Sequence, residues 1–135
     1  MLIINKEIKS DFESVHQFVL KVISLIEKEK IAKKQNTIFK INVMLREVLN
    51  NAVEHGNKFD ESKMVYCSIE FDKQVFTFIV RDEGEGCIKD QFYNVDDGFT
   101  MKLRSRGLDL ITKYGFKYKF KKNEIILKYI LDEEM

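Results

Sequence analysis

The sequence predicts an α+β domain: a two-layer α/β sandwich with a mixed, mostly antiparallel sheet covered on one face by helices. Three observations predict it. Strand-like and helix-like segments come in runs, in the order β-α-α-β-β-loop-α-β-β, instead of alternating. Two long segments repeat apolar residues at i, i+3 and i+4. The strand-like segments come largely as pairs joined by short polar turns, which favours hairpins. With 135 residues the chain suits one domain, 1–135, built on one core.

The elements follow in order. Leu2–Ile8 (LIINKEI) is strand-like. Ser10 to Glu13 (SDFE) has the spacing of a capping box and starts a helix that runs to about Lys30. Its apolar row is Val15, Phe18, Val19, Val22, Ile23 and Ile26. A charged connection through Asn36 leads to a second helix, from about Thr37 to His55, with Ile41, Leu45, Val48, Leu49 and Ala52 toward the core and Gly56 as its C′ residue. After the loop Asn57–Ser62, MVYCSIEF alternates, placing Val65, Cys67, Ile69 and Phe71 on one face. QVFTFIVRD is apolar on both faces, as a central strand would be, and Asp72–Lys73 fits the turn between the two. Asp82–Gly107 is a long irregular connection of the kind that is usually functional. Gly107–Gly115 reads as a short helix, and a final hairpin turns at Lys122–Asn123.

Composition narrows the function. A net charge of +1 gives no argument for non-specific attraction to nucleic acid or to an anionic membrane. The lysine–aromatic alternation of Phe116–Lys122 fits a strand with one buried face and a charged outer face better than a nucleic-acid surface. No apolar run approaches the ~20 residues of a membrane helix. The N-terminus lacks the features of a signal peptide, and Cys67 and Cys87 have neither metal-ligand nor disulfide spacing, so a cytoplasmic protein with reduced thiols is expected. There is no proline, and none of the six glycines precedes residue 56, so unusual backbone geometry is expected in the second half.

Three stretches could carry chemistry. On the second helix, with Glu47 at zero and roughly 100° per residue, Asn51 lies at about 40° and His55 at about 80°. Val48, Ile41, Ala52 and Leu45 span about 100° to 160°. The polar row borders the buried face, either as the wall of a pocket or as the solvated margin of an amphipathic helix. In IVRDEGEGC an apolar strand ends in Asp82, followed by Gly84 and Gly86. This is either a site where a ligand nears the backbone and a carboxylate accepts from its amino group, or a plain turn. In KLRSRGLDLI, Lys102, Arg104 and Arg106 precede Gly107 at the start of a helix, either an anion site or a capped helix with ordinary surface charge.

Taken together, the three resemble a known set. EVLNNAVEHG resembles the N box of the GHKL ATPases, the superfamily of gyrase, histidine kinases and MutL; DEGEG resembles its G1 box and SRGL a reduced G2 box. The chain is similar, over nearly its whole length, to the free-standing branch of anti-sigma-factor serine kinases, the RsbW/SpoIIAB-like proteins. That resemblance implies the Bergerat-type ATP-binding fold, with ATP and Mg2+ as cofactors. It implies that Asn51 coordinates Mg2+, that Asp82 accepts the adenine amino group, and that Gly84 and Gly86 leave room for the nucleotide. It makes 88–106 the ATP lid, with Gly107 opening a helix toward phosphate, His55, Ser105 and Arg106 near phosphate, and Glu47 the general base toward a serine hydroxyl. The implied partners are a sigma factor or similar regulator, and an anti-sigma-factor antagonist as substrate; a homodimer is a further expectation. The sequence departs from the branch at Ser105, where the first G2 glycine is expected, and at Cys87, where an aromatic residue is common. The alternative functions are a nucleotide-binding partner-switch clamp without phosphotransfer, and a histidine-kinase catalytic module acting in trans.

Overall fold

The computed structural model describes residues 2–84, 111 and 113–131. Strand β1 (Leu2–Lys9) leads into helix α1 (Phe12–Lys28) and helix α2 (Gln35–Asn51), which continues as a short π-helix, Ala52–Gly56. Strands β2 (Met64–Asp72), β3 (Val75–Arg81), β4 (Lys117–Lys121) and β5 (Glu124–Ile130) follow. They form a five-stranded sheet in the order β1-β2-β3-β5-β4. Every pairing among the described residues is antiparallel, so the sheet is not mixed. Within the predicted helix Gly107–Gly115, Ile111 and Lys113 are helical and the residues before Ile111 lie outside the described ones.

The alternation of the sequence becomes the two faces of the sheet. Val65, Cys67 and Ile69 of β2, Phe76, Phe78 and Val80 of β3, and Leu127 and Tyr129 of β5 are buried on one face. Against them lie Val15, Phe18, Val19, Val22 and Ile26 of α1 and Ile41, Met44, Leu45, Val48 and Leu49 of α2. A chain of rings runs through this layer: Phe71–Phe76 at 4.8 Å, Phe76–Phe78 at 5.5 Å, Phe78–Phe116 at 6.1 Å and Phe116–Tyr129 at 4.7 Å. Such tilted pairs add to plain burial because ring edges meet ring faces. Strand β3 is central, as its composition predicts, but on its other face Thr77 and Ile79 are only half-buried. On edge strand β4 the lysines at 117, 119 and 121 are exposed, while Tyr118 packs against the core. The aromatics and the lysines thus lie on opposite faces, and no basic stacking platform forms there.

Local details differ from expectation. The N-cap of α1 is Asp11, whose carboxylate accepts the Ser14 N–H at 2.6 Å. Ser10 is drawn out of that role because it is buried and its hydroxyl donates to the Lys63 carbonyl. The β2–β3 turn is Lys73–Gln74, one residue later than predicted, since Asp72 still pairs with Val75. Both turn residues have positive φ, 51° and 69°, the geometry that matches the twist of a two-residue hairpin. The final hairpin turns at Lys122–Asn123 as expected, between paired Lys121 and Glu124.

Burial also decides the chemistry of Cys67. It sits in the core face of β2, and desolvation pushes its thiol from an ordinary value of 9.0 up to about 12. The native state holds this proton more tightly than the unfolded chain. Its contribution to stability is therefore complete below about pH 9 and lost as pH rises toward about 12. The difference in unfolding free energy between the wild type and Cys67→Ala, measured by denaturant titration, is expected to shrink across that window. A constant difference from pH 8 to 12 would contradict it.

Candidate functional site

The site is built where the end of α2 meets the end of β3. The α-helical ladder of α2 gives way at Ala52 to a wider turn: the Phe59 N–H reaches back six residues to the Val53 carbonyl at 2.9 Å, and an i→i+5 bond runs from the Asn57 N–H to the Ala52 carbonyl at 2.8 Å. Such i→i+5 insertions recur at functional sites because they re-aim the residues that follow. Gly56 lies inside this turn; it does not close the helix as a left-handed C′ residue, and positive-φ glycine is seen among the described residues only at Gly115. What Gly56 provides is closeness. A Cβ built on it would lie 2.1 Å from Asp82 Oδ2.

Asp82 follows β3 directly. Its N–H donates to the Asn123 carbonyl at 3.1 Å, and Asn123 Nδ2 donates back to the Asp82 carbonyl. Its Oδ1 accepts the Gly84 N–H at 2.8 Å, closing an Asx turn. A Cβ on Gly84 would lie 2.2 Å from the Gly56 carbonyl oxygen, so two backbones touch here and neither position has room for a side chain. Glu83 is tied twice: its N–H donates to Asn57 Oδ1 at 2.7 Å, and its carboxylate accepts the Met64 N–H.

The predicted residues fall into place as follows. Glu47 and Asn51 lie half-buried on the last turns of α2 and make no hydrogen bond or ion pair with the described residues. His55 lies on the π-turn, half-buried, with Nε2 3.8 Å from Glu54 Oε2. The wider turn carries His55 off the regular row that α-helical spacing assigns it. Asp82 and Gly84 meet Gly56 one π-turn after Asn51, so the N-box-like helix and the G1-like loop are joined. Gly86, Ser105, Arg106 and Gly107, and the lid expected over 88–106, lie outside the described residues. The sequence did not point to Asn57 and Asn123, which hold the loop after β3, or to Ser10, which braces Asn57 from outside the site. Apart from the Met64 carbonyl, their side-chain partners are 26 to 53 residues away, beyond the reach of any local spacing rule.

With this geometry in hand, the comparison with known families is decisive. The model of the histidine kinase-like ATPase domain matches residues 8–125. The chain belongs to this family. It is an ATPase-type domain, and membership implies ATP binding. Among solved structures, it is similar to the histidine kinase domain of a blue-light activated histidine kinase from Erythrobacter litoralis. The TM-score is 0.59 at 14% identity, covering 89% of this chain and 62% of that one. At that identity the likeness is one of fold, and this chain spans less than two thirds of that domain's length. No curated protein sequence matches the chain.

The residues of this ATPase domain fit the nucleotide. The Asp82 carboxylate is an acceptor-only group, the type that an amino group requires, and its Oδ1 also accepts the Gly84 N–H. The side-chain oxygen of Asn50, next to Asn51 in sequence, is buried and has no hydrogen-bond partner among the described residues.

Proposed function

We propose that this ATPase domain is a Mg2+- and ATP-dependent protein serine/threonine kinase of the anti-sigma-factor type. It binds a sigma factor or similar regulator and phosphorylates a small antagonist protein on a hydroxyl. The observation that carries this is the junction of Gly56, Asp82 and Gly84, which puts the half-buried Glu47 and Asn51 on the helix that adjoins the adenine-selecting carboxylate.

In this reading the Asn51 carboxamide oxygen binds Mg2+, which when bound neutralises the phosphate charge. Asp82 accepts from the adenine amino group. Glu47 accepts the proton of the substrate hydroxyl as that oxygen bonds to the γ-phosphorus, the bond from the β–γ bridging oxygen to that phosphorus breaks, and ADP leaves. Positioning supplies most of the rate, since the hydroxyl must be held within about 3 Å of the carboxylate.

The test is ligand-linked stability followed by transfer. Mg·ATP at a hundredfold over its Kd should stabilise the wild type by about 2.7 kcal/mol in thermal melts, and Asn51→Ala should lose most of that shift. Radiolabelled phosphate should then appear on a co-incubated antagonist serine. No stabilisation of the wild type by Mg·ATP would end the proposal. Stabilisation without transfer to any antagonist would leave the domain a nucleotide-dependent clamp.

A further inference from the structure

Asn57 is 1% exposed and uses both ends of its carboxamide. Nδ2 donates to Ser10 Oγ at 2.9 Å and to the Met64 carbonyl at 3.0 Å, while Oδ1 accepts the Glu83 N–H at 2.7 Å. Ser10, 2% exposed, passes the tie on to the Lys63 carbonyl. One side chain thus joins the start of α1, the start of β2 and the loop after β3. It sits where it does because the π-turn ends on it: the extra residue of that turn, closed by the bond from the Asn57 N–H to the Ala52 carbonyl, brings Asn57 under the loop. A buried amide with three satisfied bonds is a rigid anchor, since each partner would be costly to leave unpaired. Its acceptor holds the residue immediately after Asp82, and Asn123 holds Asp82 from the other side.

We infer that Asn57 is a positioning residue for base selection: by fixing the Glu83 N–H it sets where the Asp82 carboxylate points, and so how strongly the site prefers an adenine amino group. This rests on the proposal that Asp82 faces the adenine. Among the described residues the Ser10 hydroxyl bonds to Asn57 and Lys63 and not to the loop, so stability and selectivity should separate between the two residues.

The experiment is calorimetric titration of the full chain with Mg2+ and either ATP or inosine triphosphate, which carries an oxygen in place of the amino group. It is run in the cold alongside thermal melts. The wild type should prefer ATP, and Asp82→Asn should lose that preference. Asn57→Ala, and Asn57→Ser with a hydroxyl too short to reach Glu83, should each lower the preference about tenfold. Ser10→Ala should melt earlier with the preference unchanged. A wild-type preference in both Asn57→Ala and Asn57→Ser overturns the inference, as does a preference that falls with melting temperature in Ser10→Ala as well. If Asp82→Asn keeps the wild-type preference, the role given to Asp82 fails and the inference falls with it.

Discussion

Gly84→Ala is expected to lose ATP binding and to destabilise the fold together. The added methyl would sit 2.2 Å from the Gly56 carbonyl oxygen and 2.9 Å from its carbon, and a main-chain carbonyl inside a hydrogen-bonded turn cannot swing aside. The loop must move instead. Its movement breaks the Gly84 N–H bond to Asp82 and pulls on the Glu83 N–H bond to Asn57. Overpacking of this kind costs about 1–3 kcal/mol. Gly56→Ala makes an informative pair. There the clash is with the Asp82 side chain, at 2.1 Å from Oδ2, 2.4 Å from Cγ and 2.9 Å from Cβ; Oδ2 and Cγ can rotate away, and only a small shift is needed at Cβ. That variant should keep more of its stability and still lose adenine binding, because the group displaced is the one proposed to read the base. Denaturant titration and calorimetry with ATP separate the two. Wild-type affinity in both variants would show that this contact does not shape the nucleotide site.

Glu47→Ala is expected to bind Mg·ATP like the wild type and to transfer phosphate about 10²–10⁴ times more slowly. That range is equivalent to about 2.7–5.4 kcal/mol on the barrier. The separation follows from where the side chain stands. Glu47 is half-buried on α2 and makes no bond with the described residues, so its removal leaves no broken network in the Asp82 loop. Exposed and half-exposed helix positions accept alanine readily, so stability should change little. A Glu47→Ala variant that phosphorylates its antagonist at the wild-type rate would remove the general-base role. Loss of binding in step with loss of transfer would place Glu47 at the metal or phosphate instead of the hydroxyl.

The parts of the fold legible in the sequence were those that depend on periodicity. Val15, Phe18, Val19, Val22 and Ile26 repeat every three or four residues, and all are buried against the sheet. Val65, Cys67 and Ile69 alternate and share the core face of β2. The candidate site was proposed where type and spacing are themselves suggestive of chemistry: Glu47 and Asn51 four apart on one helix, and Asp82 with Gly84 after an apolar strand. Spacing failed where the backbone left its ideal form. The wheel drawn through His55 assumed an α-helix, but the ladder widens at Ala52, and Gly56, expected to end the helix, lies inside the wider turn. SDFE has capping-box spacing, yet Ser10 bonds to Lys63 and Asn57 and leaves the cap to Asp11.

The sequence by itself determined the α+β architecture and the buried faces, because each depends on neighbours within about one turn or one strand; it proposed the nucleotide-binding groups through the resemblance of its motifs. Only the tertiary structure decided why Gly56 and Gly84 must lack side chains, and that Asn57 and Asn123 hold the loop carrying Asp82, with Ser10 bracing Asn57. Those contacts join residues up to 53 positions apart. They exist only once the sheet has brought the end of β3 beside the end of α2, and no pattern of residues along the chain encodes a distance in space.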